Sequence, residues 1–187
     1  MGYGHWVGND PRGSGSAELR AEKFEELGPI HFGRKRVQPS QDELKAFYRE
    51  AENLLEYEVI WFDDAMRRVI VDAFGKVVEQ CGYTSWAGAV LQNHVHDLVR
   101  VHRDKGDVMW ERLAVASRDA LRAGGLVPKD HPVWSNRPYD VFKTTVPAVE
   151  RCIGYINDNF KKHGLPLEIY PWITPYDGWP QHRKSWL

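Results

Sequence analysis

Between Tyr83 and His102, two β-rich segments, Tyr83 to Leu91 and His94 to His102, are joined by the polar pair Gln92-Asn93, and helical apolar stripes flank them on both sides. Two such runs with so short a connection read as an antiparallel hairpin. A lone hairpin leaves both faces open to water, so the flanking stripes have to cover it. Ser40-Gln-Asp-Glu43 has the capping-box pattern, with Leu44, Phe47, Ala51, Leu54 and Leu55 at helical spacing behind it, which predicts a helix over 41–55. After an extended piece from Tyr57 to Phe62, Asp63 caps a second helix whose stripe holds Met66, Val69, Ile70, Ala73, Phe74, Val77 and Val78. A third helix fits 105–123, with Met109, Leu113, Ala116 and Ala120 on one side and Gly124-Gly125 stopping it. The last begins near Thr145, tolerates Pro147 in its first turn and ends at Gly164. Val133-Trp134 and Tyr139 to Thr144 suggest a second, shorter hairpin-like unit around Ser135-Asn136-Arg137-Pro138. This order predicts the α+β class: an antiparallel sheet covered by helices, with a ferredoxin-like arrangement as the natural candidate.

A chain of 187 residues suits one domain over 1–187, read as an irregular N-terminal arm over 1–40, a core over 41–164 and a C-terminal tail over 165–187 lying extended on the body. Residues 1–16 are rich in turn formers, 17–27 could form a short exposed helix, and Arg34-Lys35-Arg36 is a local basic cluster. No apolar run approaches the roughly 18 residues that span a bilayer, so the expectation is a soluble protein with no membrane partner. Cys81 and Cys152 make neither a disulfide framework nor a C-x-x-C zinc pattern, which points to a reducing cytoplasm and to buried thiols serving as small apolar groups. A formal charge of −1 argues against a broad polyanion binder, so any contact with nucleic acid needs a local basic face. No Gly-x-Ser-x-Gly turn appears, and the glycine-rich opening lacks the Lys-Ser/Thr of a phosphate loop.

In a strand, successive side chains alternate between faces, so His94 and His96 share one face with Val95 turned away. Two imidazoles so placed can hold one metal ion, although a histidine pair alone is a weak signal. The last helix adds to it. Its stripe is Val146, Val149, Cys152, Ile153, Ile156 and Phe160, and Tyr155 lies well off it, sharing a flank with Arg151 and Lys162. Asn159, four residues on, sits between flank and stripe, beside Tyr155. A phenol titrating near ~10 is a poor nucleophile at neutral pH and needs an electrophile made more reactive. A divalent ion on two imidazoles and an amide or carboxylate keeps positions open, where it would polarise a phosphodiester oxygen. Arg100, Arg103 and Lys105, just beyond the histidine strand, could be a solvated strand end.

His94-Val95-His96, the segment Val133 to Thr144, Tyr155-Ile-Asn-Asp-Asn159 and Gly164-Leu165-Pro166 together resemble the HUH single-tyrosine transposases, in particular the REP-associated tyrosine transposase branch. Asn9 to Ser16 and Tyr176-Asp-Gly-Trp-Pro180 are also similar to segments of that branch, so the resemblance covers nearly the whole chain. It implies His94 and His96 as metal ligands, Tyr155 as nucleophile and Asn159 as the third ligand, with Mg²⁺ or Mn²⁺ as cofactor. Arg100, Arg103, Lys105, Arg151 and Lys162 would then contact single-stranded or hairpin DNA. Such enzymes keep a 5′ phosphate on tyrosine, release a 3′ hydroxyl that can reverse the reaction, and commonly act as homodimers. The alternative is a domesticated relative that holds a DNA or RNA hairpin without cutting it. This chain departs from the family at Asp97, where an apolar residue is usual, and in starting almost at Tyr3-Gly-His-Trp6, before which the family's first core strand normally lies.

Overall fold

The computed structural model describes residues 40–135, 138 and 140–179, apart from the Leu44 side chain. The expected helix over 17–27, the cluster Arg34-Lys35-Arg36, the segment around Tyr3 to Trp6 and the end of the tail lie outside the described residues. In chain order the elements are α1 (Gln41–Asn53), α2 (Asp64–Cys81), β1 (Ser85–Val90), β2 (Val95–Val99), α3 (Gly106–Ala123) and α4 (Val146–Lys162). This is the α+β class. A ferredoxin-like core strings β-α-β-β-α-β, whereas the described elements run α-α-β-β-α-α around a two-stranded antiparallel sheet.

The described residues gather into two compact units, one holding 40–61 with 127–135 and 138, the other 62–126 with 140–179. In the first, α1 starts as its sequence requires: Ser40 Oγ accepts from the Glu43 N–H at 3.2 Å, and the Glu43 carboxylate accepts from the Ser40 N–H at 2.7 Å. Phe47 and Ala51 from the α1 stripe are buried. His131 is buried and fully used. Its Nδ1 accepts from the Val133 N–H at 2.9 Å and its Nε2 lies 2.7 Å from the Glu58 carbonyl, to which it donates as the neutral Nε2–H tautomer. The second hairpin-like unit lies partly outside the described residues, at 136, 137 and 139. Among the described positions Trp134 takes part in an isolated bridge, and Val133 takes φ 65, a conformation rare for a β-branched residue and opposite in sign to that of a strand. The Trp134 N–H bonds back to the Pro132 carbonyl at 2.7 Å, closing a three-residue turn where an extended segment was expected.

In the second unit, Asp63 caps α2 by accepting from the Met66 N–H at 2.8 Å, and Gly82, at φ 68, ends the helix in the left-handed conformation that glycine adopts without steric cost. α2 packs against α3, and Ile70, Phe74 and Leu121 are fully buried. The hairpin has the register Val90 with Val95, Ala89 with His96 and Gly88 with Asp97, slipping by one residue before Ser85 meets Val99. Leu91 closes its turn by donating to the His94 carbonyl at 2.9 Å. His96 therefore faces one side of the sheet, where α4 lies, and Asp97 the other.

Trp172 fills that other side. A Cβ added at Gly75 would stand 2.8 Å from its ring, and one at Gly88 would stand 2.7 Å from it, so the indole is wedged between α2 and β1. Its Nε1 donates to the Val71 carbonyl at 3.1 Å. On either side of it in sequence, the Tyr170 hydroxyl accepts from the Val90 N–H at 3.0 Å, and the Thr174 N–H donates to the Ser85 carbonyl at 2.7 Å beside a parallel bridge of Ile173 with Ser85. Both cysteines are reduced and half-buried rather than fully buried, and burial raises the Cys152 thiol pKa. No helix among the described residues is long and apolar enough to cross a membrane.

Candidate functional site

His94 lies one residue before β2 rather than within it, and His96 is the second residue of that strand. Alternation still brings the rings together: their Nε2 atoms are 3.1 Å apart and their centroids 4.8 Å. The Nδ1 of His94 meets Asn93 Oδ1 at 2.6 Å; an amide oxygen can only accept, so Nδ1 carries the proton and Nε2 keeps its lone pair. That is the tautomer a histidine adopts when its outer nitrogen is held by a neighbour and its inner one faces a metal. His96 is half-buried, and burial, with positive charge on His163 and Lys162 adding to it, lowers its pKa to about 4. It is neutral near pH 7. Two nitrogens about 2.1 Å from one ion span about 3.0 Å at a right angle and about 3.4 Å at the tetrahedral angle, so the observed 3.1 Å suits a shared ion.

Tyr155 reaches this pair from α4. Its position off the apolar stripe leaves it 51% exposed, while Val149, Ile156 and Phe160 of the stripe are buried. The Tyr155 ring stands edge-on to His96 with centroids 5.5 Å apart, and Lys162 Nζ sits 4.6 Å above the same ring. Asn159 is buried, and its Nδ2 donates to the Tyr155 carbonyl at 2.6 Å, so its side chain turns back onto its own helix. Sequence reasoning missed His163. It caps α4 at its C-terminus, and its ring lies 5.2 Å from that of His94. The available signal was spacing: residues 155, 159 and 163 recur every four positions along one row of the helix.

The expected basic contacts separate into two places. Lys162 adjoins Tyr155, and Arg151 is exposed one turn before it. Arg100 lies four residues beyond His96, roughly 13 Å along an extended chain. There it pairs with Asp177 at 3.3 Å and lies over the Trp179 ring at 5.5 Å. Arg103 and Lys105 are exposed in the loop that follows, and Lys105 is the N-cap residue of α3.

Asp97, a carboxylate where the family pattern has an apolar residue, is only half satisfied on the far face. Ser85 Oγ donates to Asp97 Oδ1, but Oδ2 is buried without a hydrogen bond. Burial pushes its pKa up to about 7 against the opposing effect of the Ser85 bond. Comparison with protein-family models, curated proteins and solved structures finds no match to this chain.

Proposed function

We propose that this protein is a transposase-like endonuclease and strand transferase of the HUH type, acting on single-stranded or hairpin DNA with Tyr155 as nucleophile. One observation carries the reading: the 3.1 Å approach of the His94 and His96 Nε2 atoms, with the Tyr155 ring against His96. His94 and His96 hold the divalent ion, and α4 supplies the remaining protein ligand, Asn159 in the family's pattern. A pair of imidazoles suits Mn²⁺ better than Mg²⁺, which prefers oxygen ligands. When bound, such an ion polarises a phosphodiester oxygen and makes the phosphorus more electrophilic.

The protein's own groups do the rest. Asn93 holds His94 in the tautomer that presents Nε2. Burial keeps His96 uncharged; across the 3.1 Å contact its Nε2–H donates to the His94 lone pair, so an ion would bind His96 Nε2 only as that proton moves to Nδ1. The exposed phenol of Tyr155 attacks phosphorus; its O–P bond forms as the bond from phosphorus to the 3′ oxygen breaks. The phenol loses a proton and the 3′ oxygen gains one. One phosphoester replaces another, so the released 3′ hydroxyl can reverse the step. Lys162 and Arg151 lie where they can meet the scissile phosphate and its neighbour, while Arg100, Arg103 and Lys105 lie farther along the strand. A ferredoxin-like core and a homodimer complete the reading.

Incubating the full chain with single-stranded oligonucleotides that carry hairpins tests it. Cleavage that needs Mn²⁺ and disappears in Tyr155→Phe supports the enzyme. Tight hairpin binding with no cleavage under any divalent ion instead supports a domesticated binding module.

A further inference from the structure

We propose that Phe142 is a stacking platform in the DNA path, a ring against which an unpaired base of the single strand lies on its way to Tyr155. This rests on the reading of the protein as acting on single-stranded DNA, and adds a residue to which that reading gives no role.

Phe142 is 86% exposed, so the segment leading into α4 turns an aromatic ring out into water. A single exposed apolar side chain is ordinary; what sets this one apart is its place. On one side, Asp140 lies against the start of α3, its Oδ2 2.7 Å from where a Cβ on Gly106 would stand, next to exposed Lys105. A carboxylate there faces the positive pole of the helix. Phe142 is two residues on, within about 7 Å along the chain. On the other side, Lys143 lies close to Cys152 of α4: burial raises that thiol's pKa, and the Lys143 ammonium partly opposes it. Exposed Arg151 adjoins Cys152, and Tyr155 follows one turn later on the same helix.

The ring therefore stands between two basic stretches, Arg103 with Lys105 and Lys143 with Arg151, on a segment tied to α3 at Asp140 and to α4 at Lys143. Positive charge on both sides suits a polyanion better than an apolar protein surface. Phenylalanine carries no hydrogen-bonding group, so it cannot read the edge of a base, but every base has a face that can lie on it. A stacking ring flanked by cations that meet phosphates is the combination by which single strands are held without sequence preference. A chain of formal charge −1 has little general attraction for DNA, which gives a non-ionic contact near the reacting tyrosine more weight.

Anisotropy titration of the full chain with a fluorescent strand of thymidines, and with the same strand made abasic, separates base from backbone. Phe142→Ala should weaken binding of the thymidine strand about fivefold or more. It should leave the abasic strand within about twofold of wild type and the salt slope unchanged, because no phosphate contact is lost. Phe142→Trp should bind at least as tightly as wild type, whereas Phe142→Leu, apolar without a π face, should lose as much as Phe142→Ala. Wild-type affinity in Phe142→Ala or in Phe142→Leu, or an equal loss on the abasic strand, overturns the proposal. So does a Phe142→Ala that binds DNA as wild type does but sediments more slowly, which would make the ring a contact between copies of the chain. A wild type that binds no single strand at all removes the underlying reading and this inference with it. A second readout needs no variant: near-ultraviolet irradiation of the wild type with a strand carrying 5-iodouracil should join DNA to the peptide that holds Phe142. Adducts on other peptides alone contradict the proposal.

Discussion

The ring of Tyr155 meets the imidazole of His96 edge-on, with centroids 5.5 Å apart, joining the last helix to the second strand of the hairpin. The contact helps to bury His96, and burial is the main reason its pKa falls from 6.5 to about 4. The unfolded chain therefore binds a proton at this site between those values while the folded chain does not, so this group makes stability fall as pH drops from 6.5 towards 4. At ~1.4 kcal/mol per unit the loss is at most ~3 kcal/mol. His96→Gln should remove it, as read by urea unfolding at pH 7 and pH 4.5 in chelator. An unchanged difference between the two pH values would show that His96 is not held neutral.

Asp97 acts in the opposite sense. Its folded pKa of about 7 lies above the unfolded 3.8, so the folded state holds the extra proton between them and stability falls as pH rises through that window. Well above pH 7 the buried charge is fully present. Asp97→Asn keeps an acceptor for Ser85 and should raise stability at pH 8, by at most ~4 kcal/mol, with the gain vanishing near pH 4. Thermal unfolding at the two pH values measures this. An equal effect at both would contradict a buried, titrating Asp97.

Lys162 Nζ stands 4.6 Å above the Tyr155 ring, where a phosphate approaching the phenol would meet it. Lys162→Met keeps the side chain's apolar length and removes its charge. It should weaken binding of single-stranded DNA about equally for all sequences and reduce the salt slope by about one, leaving Mn²⁺ affinity unchanged. Fluorescence anisotropy across a salt series decides this; an unaltered slope would place the lysine outside the DNA path.

Gly88→Ala tests the packing behind the site. The new methyl would lie 2.7 Å from the Trp172 ring, which already fills the space between α2 and β1, so the indole or the hairpin must shift. Overpacking of this kind costs about 1–3 kcal/mol, measurable as a lower denaturant midpoint. A variant as stable as wild type would mean that Trp172 is not wedged there.

Much of this arrangement is legible in the sequence because it follows local rules. Ser40 and Asp63 cap their helices, and strand alternation places Asp97 opposite His96. Tyr155 is exposed because it lies off its helix's stripe. What escaped depends on contacts distant in sequence. Nothing near Asp97 in the chain announces Ser85 as its partner, and Trp172 meets Gly75 and Gly88 only after the fold has formed. His163 follows Lys161 and Lys162 at the end of a helix in the sequence, and only the fold brings its ring beside that of His94. Val133 has the strand preference of a β-branched residue, yet the turn closed by Trp134 overrides it.

The central claim is that Tyr155 becomes covalently joined to DNA at a metal-assisted site. Mass spectrometry of the proteolysed protein, after incubation with Mn²⁺ and a pool of single-stranded hairpin oligonucleotides, measures this most directly. The account predicts a nucleotide linked through its 5′ phosphate to the peptide carrying Tyr155, absent from Tyr155→Phe and from the His94→Ala, His96→Ala double variant. Tight hairpin binding with an unmodified Tyr155 under every divalent ion tested would contradict it.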